Sequence, residues 1–248
     1  MIREEARRGF QAGAAAYERG RPGYPAGVIE WLGVELGLRP GRRVADVGAG
    51  TGKLTRELVR SGAEVVAVEP VPGMRDVLER AVPGVEVLDG TAETLPMGDE
   101  SIDAITVAQA FHWFDIPRTL TEFHRVLCPG GRFAVIWNRR VREQPLHQAI
   151  NAIIEPHRGD SPSHLTSRWR EQVAAEGRFA AAGQIELPFE QQFDEDGLVD
   201  RVGSISFVAA LPDEERERVL ERVRALALDA DQPLRLGYTT EAFVYSRI

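Results

Sequence analysis

Asp46-Val-Gly-Ala-Gly-Thr-Gly52 closes a short apolar run, and a second run ends on Glu69, about the twenty-residue interval at which a nucleotide-binding unit places its ribose acid. Glycines alternating at 48, 50 and 52, with Ala49 and Thr51 between them, describe a tight turn that brings bare backbone against a ligand. The spacing is not that of a dinucleotide fingerprint, G-x-G-x-x-G, whose third glycine would fall on Lys53. Asp46, just ahead of the turn, is poorly suited to a pyrophosphate and suits a cationic or amine-bearing ligand. Glu69 offers a carboxylate to the paired donors of a ribose 2′- and 3′-hydroxyl.

The D-x-G-x-G-x-G segment resembles motif I of the class I S-adenosylmethionine (SAM)-dependent methyltransferases. Gly90-Thr-Ala-Glu-Thr-Leu-Pro96 resembles the G-D-A-E-x-L-P stretch of the UbiE-like branch, methyltransferase type 11, with Thr91 in place of the acid. Ala108-Gln-Ala-Phe-His-Trp-Phe-Asp115 is similar to a stretch of the small-molecule enzymes related to trans-aconitate methyltransferase. Those also carry Y-x-x-x-R-P-x-Y-P near the N-terminus, matched by Tyr17, Arg21, Pro22, Tyr24 and Pro25. The resemblance implies SAM as cofactor and a three-layer Rossmann-like α/β fold. Its seven-stranded, mostly parallel sheet would run 3-2-1-4-5-7-6 with the last strand antiparallel. The cofactor would be held by Tyr17, Arg21, Asp46, Gly48, Ala49, Gly50, Thr51, Gly52, Glu69, Pro70, Met74, Thr91, Ala92, Glu93, Gln109 and Ala110. Met74 would pack on adenine, and backbone at Ala92, or Glu93, would serve the adenine amine where Thr91 offers no charged acceptor.

The acceptor side is less defined. Trp113 and Phe114 suit an apolar wall near the methyl group, and His112 is the histidine placed to act as a base. Arg139, Arg140, Arg142, Arg168 and Arg170 are candidates for an anionic acceptor, against the alternative of a solvated helix face. No Asn/Asp-Pro-Pro-aromatic segment follows the fourth strand, which turns the expectation away from nucleobase substrates and towards a small molecule with a carboxylate or hydroxyl. Five histidines without H-E-x-x-H spacing, and a single cysteine, point to no metal. Two other readings stay open: a SAM-binding regulator or scaffold without turnover, and a nicotinamide-dependent oxidoreductase.

These residues must be positioned by alternating strands and helices. Short apolar runs at 43–47, 64–69, 85–89, 102–107 and 132–137 read as strands, with helices at 53–61, 73–81 and from Asp115 to Leu127 between them. Pro129-Gly-Gly131 reads as a turn, and Cys128 as a small buried hydrophobe. One domain of 248 residues is expected: a helical arm over the cofactor (1–40), a SAM-binding core (41–139), inserted helices forming a substrate lid (140–183), and C-terminal strands and helices (184–248). Within the last two parts, helices are read at 144–155, 169–176 and 213–227, a polar loop at 159–167, and strands at 185–193 and 236–248. A net charge of −8 argues against a nucleic-acid surface. The charged N-terminus and the lack of any long apolar run argue for a cytoplasmic protein with no membrane partner.

Overall fold

The computed structural model describes residues 4–159 and 168–248. Strands β1 (Arg43–Val47), β2 (Glu64–Val68), β3 (Glu86–Leu88), β4 (Ile102–Ala108), β5 (Leu127–Arg140), β6 (Phe179–Phe193) and β7 (Leu234–Arg247) form one sheet in the order 3-2-1-4-5-7-6. The first five run parallel, and β7 runs antiparallel to β5 and β6, as expected. The chain builds outward from β1 to β3 and then returns to β4 on the other side of β1. That reversal opens a crevice above the carboxyl ends of β1 and β4, where open α/β sheets bind ligands.

The helices are α1 (Glu4–Gly20), α2 (Ala26–Glu35), α3 (Thr55–Val59), α4 (Pro72–Ala81), α5 (Ile116–Val126), α6 (Pro145–Ile154), α7 (Trp169–Glu176), α8 (Glu195–Gly203), α9 (Ser206–Ala209) and α10 (Asp213–Asp229). Alternate strand residues face opposite ways. Ala45, Val47, Ile105 and Val107 join Leu120 and Phe123 of α5 and Trp169 of α7 on one face. Val44, Val65 and Ala104 join Leu32 of α2 and Leu58 of α3 on the other. Each such Leu, Val or Phe removed from water contributes roughly 1.5–3 kcal/mol, so both faces anchor the sheet whose upper edge carries the loops. A further cluster gathers Ile154 of α6, Val202 of α8, Phe207 of α9, Val223 of α10 and Tyr238 of β7.

Several boundaries differ from the sequence reading for physical reasons. The helix expected over 53–61 shortens to α3, because Gly52, at φ +84°, prolongs the turn. The Pro-Gly-Gly turn lies inside β5: Leu127 pairs with Ile102 and Arg132 with Ala104, so the residues between form a bulge. Cys128 sits there half-buried, its Sγ 3.0 Å from the Glu100 carbonyl. The strand expected from 185 begins at Phe179, because β7 offers a partner along its whole length. α8, absent from the sequence reading, contains two glycines and starts where Asp194 accepts from the Gly197 N–H at 2.8 Å. Most of the expected polar loop at 159–167 lies outside the described residues. The segment 140–183 divides: α6 joins α8, α9 and α10, whereas α7 packs on the sheet beside α5. Among the described residues no helix is long and apolar enough to cross a membrane.

Candidate active site

Four strand ends converge on one cleft. The turn after β1 supplies residues 48–51, the end of β2 supplies Glu69 to Val71, the segment after β3 supplies 89–93, and the end of β4 supplies 108–110. The cleft has two halves that share Tyr17, Gly48, Gly50, Ala108 and Gln109. The larger half, a cavity of about 340 Å³, adds Glu69, Pro70, Met74, Asp89, Thr91, Ala92, Glu93, Ala110, Trp113 and Phe114. The smaller, more polar half adds Arg21, Tyr24, Asp46, Ala49, Thr51, Lys53, Asn138 and Arg201.

The glycine turn has the geometry its sequence requires. Gly48 has φ +68°, and a Cβ built on it would lie 2.8 Å from the Cβ of Ala110. The Ala110 methyl and the Phe114 ring thus close on the Gly48 backbone at the floor of the cleft, with no room for a side chain there. Gly52 behaves differently from the expectation. It lines neither half, and a Cβ there would meet Leu78 Cγ at 2.9 Å, so its role is to seat the turn against α4.

Glu69 is 5% exposed. Its Oε2 accepts from the Gly50 N–H and its Oε1 from the Val71 N–H, both at 2.9 Å. The acid and the glycine turn, far apart in sequence, are one hydrogen-bonded unit. Burial pushes the Glu69 carboxyl up to about 7, and the two backbone donors oppose that rise. Asp46 is 1% exposed and pairs in register with Thr106 of β4. The Thr106 hydroxyl donates to Oδ1 at 2.9 Å and the Thr55 hydroxyl to Oδ2 at 2.7 Å. Burial raises Asp46 to about 6 against those hydroxyl bonds. Both its oxygens are therefore engaged within the protein, and its influence on a ligand is that of a fixed negative charge below the floor.

Gln109 follows β4 with φ +61°, left-handed backbone that is rare for a residue with a side chain. Its amide lies close enough to the Tyr24 hydroxyl to oppose the rise that burial gives that group's pKa. Its Nε2 is buried without a partner, and so is the Thr51 Oγ1. Orphaned polar atoms in a wall are what a ligand with complementary polar groups would satisfy. Met74 is buried beside Val71, with Tyr17 packed against the pair. Glu93 turns partly away from the cleft, its Oε1 accepting from the Asp115 N–H at 3.0 Å.

The N-terminal arm roofs the cleft. Gln11 of α1 accepts from the Gly73 N–H at 2.8 Å, and the Arg21 guanidinium stacks 4.8 Å from the Tyr17 ring. Arg21 lines the polar half, but its Nε donates to the Ser204 hydroxyl at 3.0 Å and its Nη2 to the Ser204 carbonyl at 2.7 Å. Those two hydrogen bonds tie the arm to the end of α8. Burial, with help from the charge of Arg201, lowers Arg21 to about 10.

His112 packs beside the cleft, outside the lining of its two halves. Its ring lies between Trp113 and Trp137, at centroid distances of 4.9 and 5.1 Å, and it lines neither half of the cleft. The single 3-10 turn Phe111–Trp113 sends Phe111 into the core and Trp113 to the cavity wall. The five candidate arginines also miss the cleft lining. Arg139 pairs with Glu241 at 2.8 Å, Arg140 donates to Asn151 at 3.1 Å, Arg168 pairs with Glu171, and Arg170 stacks 4.0 Å from the Phe243 ring. The cation that does line the cleft from the C-terminal half is Arg201, on a helix whose sequence carries no motif. Asp89 is a second residue that sequence reasoning missed: it lines the larger half and pairs with Arg75 at 3.0 Å. Its position at the end of a predicted strand was the available signal.

Comparison with known proteins settles the family. Residues 45–135 match the model of a methyltransferase domain. An uncharacterized methyltransferase of Mycobacterium tuberculosis is 40% identical over 236 residues, covering 93% of this chain and 92% of the relative. The chain belongs to the methyltransferase family. As a SAM-dependent methyltransferase it is an enzyme, and the nicotinamide alternative is set aside. A solved structure from Anaeromyxobacter dehalogenans, assigned as a type II methyltransferase, aligns with this methyltransferase at TM-score 0.64 and 26% identity, covering 90% of this chain and 97% of that one. Geranyl diphosphate C-methyltransferase from Streptomyces coelicolor, solved with S-adenosyl-L-homocysteine, shares the fold at TM-score 0.53 and 17% identity, covering 90% of this methyltransferase and 79% of that chain.

Proposed function

We propose that this methyltransferase transfers the methyl group of SAM to a small-molecule acceptor that reaches the cleft beside Gln109 and Trp113. The observation that carries the reading is Glu69, a buried carboxylate hydrogen-bonded to the glycine turn while lining a cavity of about 340 Å³. Its oxygens are held by backbone donors with lone pairs to spare, the arrangement that accepts a pair of ribose hydroxyls. Pro70 and Met74 supply apolar surface for a purine, and Asp89 supplies the acidic acceptor for an exocyclic amine that Thr91 lacks. Backbone at Ala92 and Glu93 completes that end. Tyr17, Ala49, Thr51 and Gln109 face the amino-acid end, where the orphaned Oγ1 and Nε2 find partners.

When bound, SAM supplies a methyl group already activated by its sulfonium. What remains for the protein is alignment and exclusion of water, and positioning of this kind lowers a barrier by roughly 7–11 kcal/mol. Trp113, Phe114 and Ala110 wall the larger half, and the fixed charge of Asp46 favours a cation above the turn. A carboxylate acceptor would need no base, being anionic near neutral pH. The net charge of −8 and the recessed cleft favour a small molecule over nucleic acid, with no membrane partner. The single cysteine is in keeping with a cytoplasmic setting.

Calorimetry with S-adenosylhomocysteine, followed by a screen for its formation from SAM across small-molecule acceptors, tests the reading. Binding that is lost in Glu69→Ala, with turnover on at least one small acceptor, is expected. Absence of binding to the wild-type chain, or turnover confined to nucleic acid, would overturn it.

A further inference from the structure

Among the crossovers that join β1 to β5, the one from β3 to β4 is built without a helix. Its residues nevertheless supply Asp89, Gly90, Thr91, Ala92 and Glu93 to the larger half of the cleft, the end assigned above to the purine. Its regular pairing is one isolated bridge, Thr91 with Thr94. A binding segment of this kind has to be held in place by the scaffold beside it.

Helix α5 does the holding, from both of its ends. At the first, the Glu93 Oε1 accepts from the N–H of Asp115, the N-cap of α5, at 3.0 Å. At the last, Glu122 and Arg125 stand three residues apart, and so on one face of the helix. The Glu122 Oε1 accepts from the Leu95 N–H at 2.7 Å. Arg125 donates to the Met97 carbonyl at 2.9 Å, to the Leu95 carbonyl at 3.3 Å and to Asp99 at 2.6 Å. The two side chains also join each other twice, Nε to Oε2 at 2.9 Å and Nη2 to Oε1 at 2.6 Å. Such fork-on-carboxylate bonding fixes direction as well as distance. The Arg125 hydrogen bonds hold the Glu122 carboxyl below its usual range, so the pair is charged at neutral pH. Pro96 carries the hold to the cleft. A Cβ on Gly90 would lie 2.8 Å from Pro96 Cδ and 2.9 Å from Val68 Cγ1, so the ring closes the segment on its own start and on β2. A shift at Leu95 to Met97 is thereby passed to Thr91, Ala92 and Glu93.

We propose that Glu122 and Arg125 are positioning residues that fix the wall facing the base, and that they set the enzyme's preference for adenine without touching the cofactor. This rests on the methyl-transfer reading above. Adenine presents an amine beside an acceptor ring nitrogen, and hypoxanthine presents an oxygen beside an N–H at the same places. A wall held still rejects the second pattern because its own polar groups are left unpaired, whereas a loosened wall shifts and pairs with either.

The test titrates the full chain by calorimetry with S-adenosylhomocysteine and with S-inosylhomocysteine, in which oxygen replaces the exocyclic amine. Wild type prefers the adenine compound by about tenfold or more, the loss expected for unpaired polar groups in a recessed site. Arg125→Gln cuts that ratio to about threefold or less, and Arg125→Lys, which keeps the charge without the fork, falls between. Glu122→Gln, which keeps an oxygen for the Leu95 N–H but not the ion pair, also falls between, and it decides the question if Arg125→Gln does not fold. Val173→Ala, a cavity at a fully buried position in α7, lowers Tm and leaves the ratio as in wild type, which separates positioning from stability. A wild-type ratio in the Arg125 and Glu122 variants, an equal fall of the ratio in Val173→Ala, or a wild type that binds both compounds alike overturns the proposal. Failure of wild type to bind either compound would instead remove the methyl-transfer reading.

Discussion

Cofactor affinity should fall as pH falls from 8 to 6, through one carboxyl. Glu69 is raised by burial to about 7, and the two backbone donors on its oxygens, with a pair of ribose hydroxyls, all call for its ionised form. With the protonated protein unable to bind, the apparent dissociation constant scales as the reciprocal of the ionised fraction. That fraction is about 0.9 at pH 8 and about 0.1 at pH 6 for a group titrating at about 7, so affinity for S-adenosylhomocysteine drops about tenfold. Glu69→Gln supplies the control. Its amide must point an NH2 at either the Gly50 or the Val71 N–H, leaving one buried donor unpaired at about 1–3 kcal/mol. That cost falls on the free and bound states alike; affinity at pH 8 falls by about tenfold or more because a charged acceptor for the ribose is lost, and the pH slope flattens. Asp46, at about 6, contributes the residual slope near the acid end. Calorimetry at pH 6, 7 and 8 and constant ionic strength reads both effects. A wild-type affinity that is flat across this range, or a Glu69→Gln variant with the full wild-type slope, refutes the assignment of the ribose contact to Glu69.

The same two carboxyls should act oppositely on the stability of the cofactor-free protein. Both are raised above their unfolded values, 4.5 to about 7 for Glu69 and 3.8 to about 6 for Asp46. The folded state thus holds more protons across that window, and the stability they contribute is fully present at low pH and lost as pH rises to about 7. Thermal unfolding of wild type and Glu69→Gln at pH 5 and pH 7.5 should show the wild type losing more on the way up; a parallel pair contradicts it. Gly48→Ala forces a methyl to within 2.8 Å of Ala110 in left-handed backbone, for about 1–2 kcal/mol of strain alone. It should lower both Tm and S-adenosylhomocysteine affinity, whereas an unchanged Tm would show the floor to be soft. His112→Ala removes a ring packed between Trp113 and Trp137 and should lower Tm while leaving S-adenosylhomocysteine affinity as in wild type. A large affinity loss would return His112 to the site.

The first four strands, the switch point and the strand-end residues that line one cleft were legible in the sequence because each rests on local chemistry. An apolar run ending in alternate glycines can do little but turn, and an acid at the end of the next strand falls beside that turn whenever the strands are parallel neighbours. Asp46 was legible as an acid but not in its bonding, because Thr55 and Thr106 reach it from a helix and a neighbouring strand. The packing of His112 was not legible, because a loop residue one position from a cavity wall can face away from it, and a 3-10 turn does this within a single residue. Arg201 could not be read at all. Its place in the cleft depends on α1 crossing α8 at Gly20, a meeting of residues about 180 positions apart that no local pattern records.

Gln109 marks where fold and chemistry pull in different directions. Glycine fills the left-handed corners at 48, 50 and 52, yet this neighbouring corner carries an amide in the same strained region. Exchanging it for glycine would relax the backbone by about 1–2 kcal/mol, and the wall would lose the buried donor at Nε2. Selection for heat tolerance alone would drift to this position and gain; selection for turnover would push it back. A library scored on both traits should find position 109 among the sites where they part company.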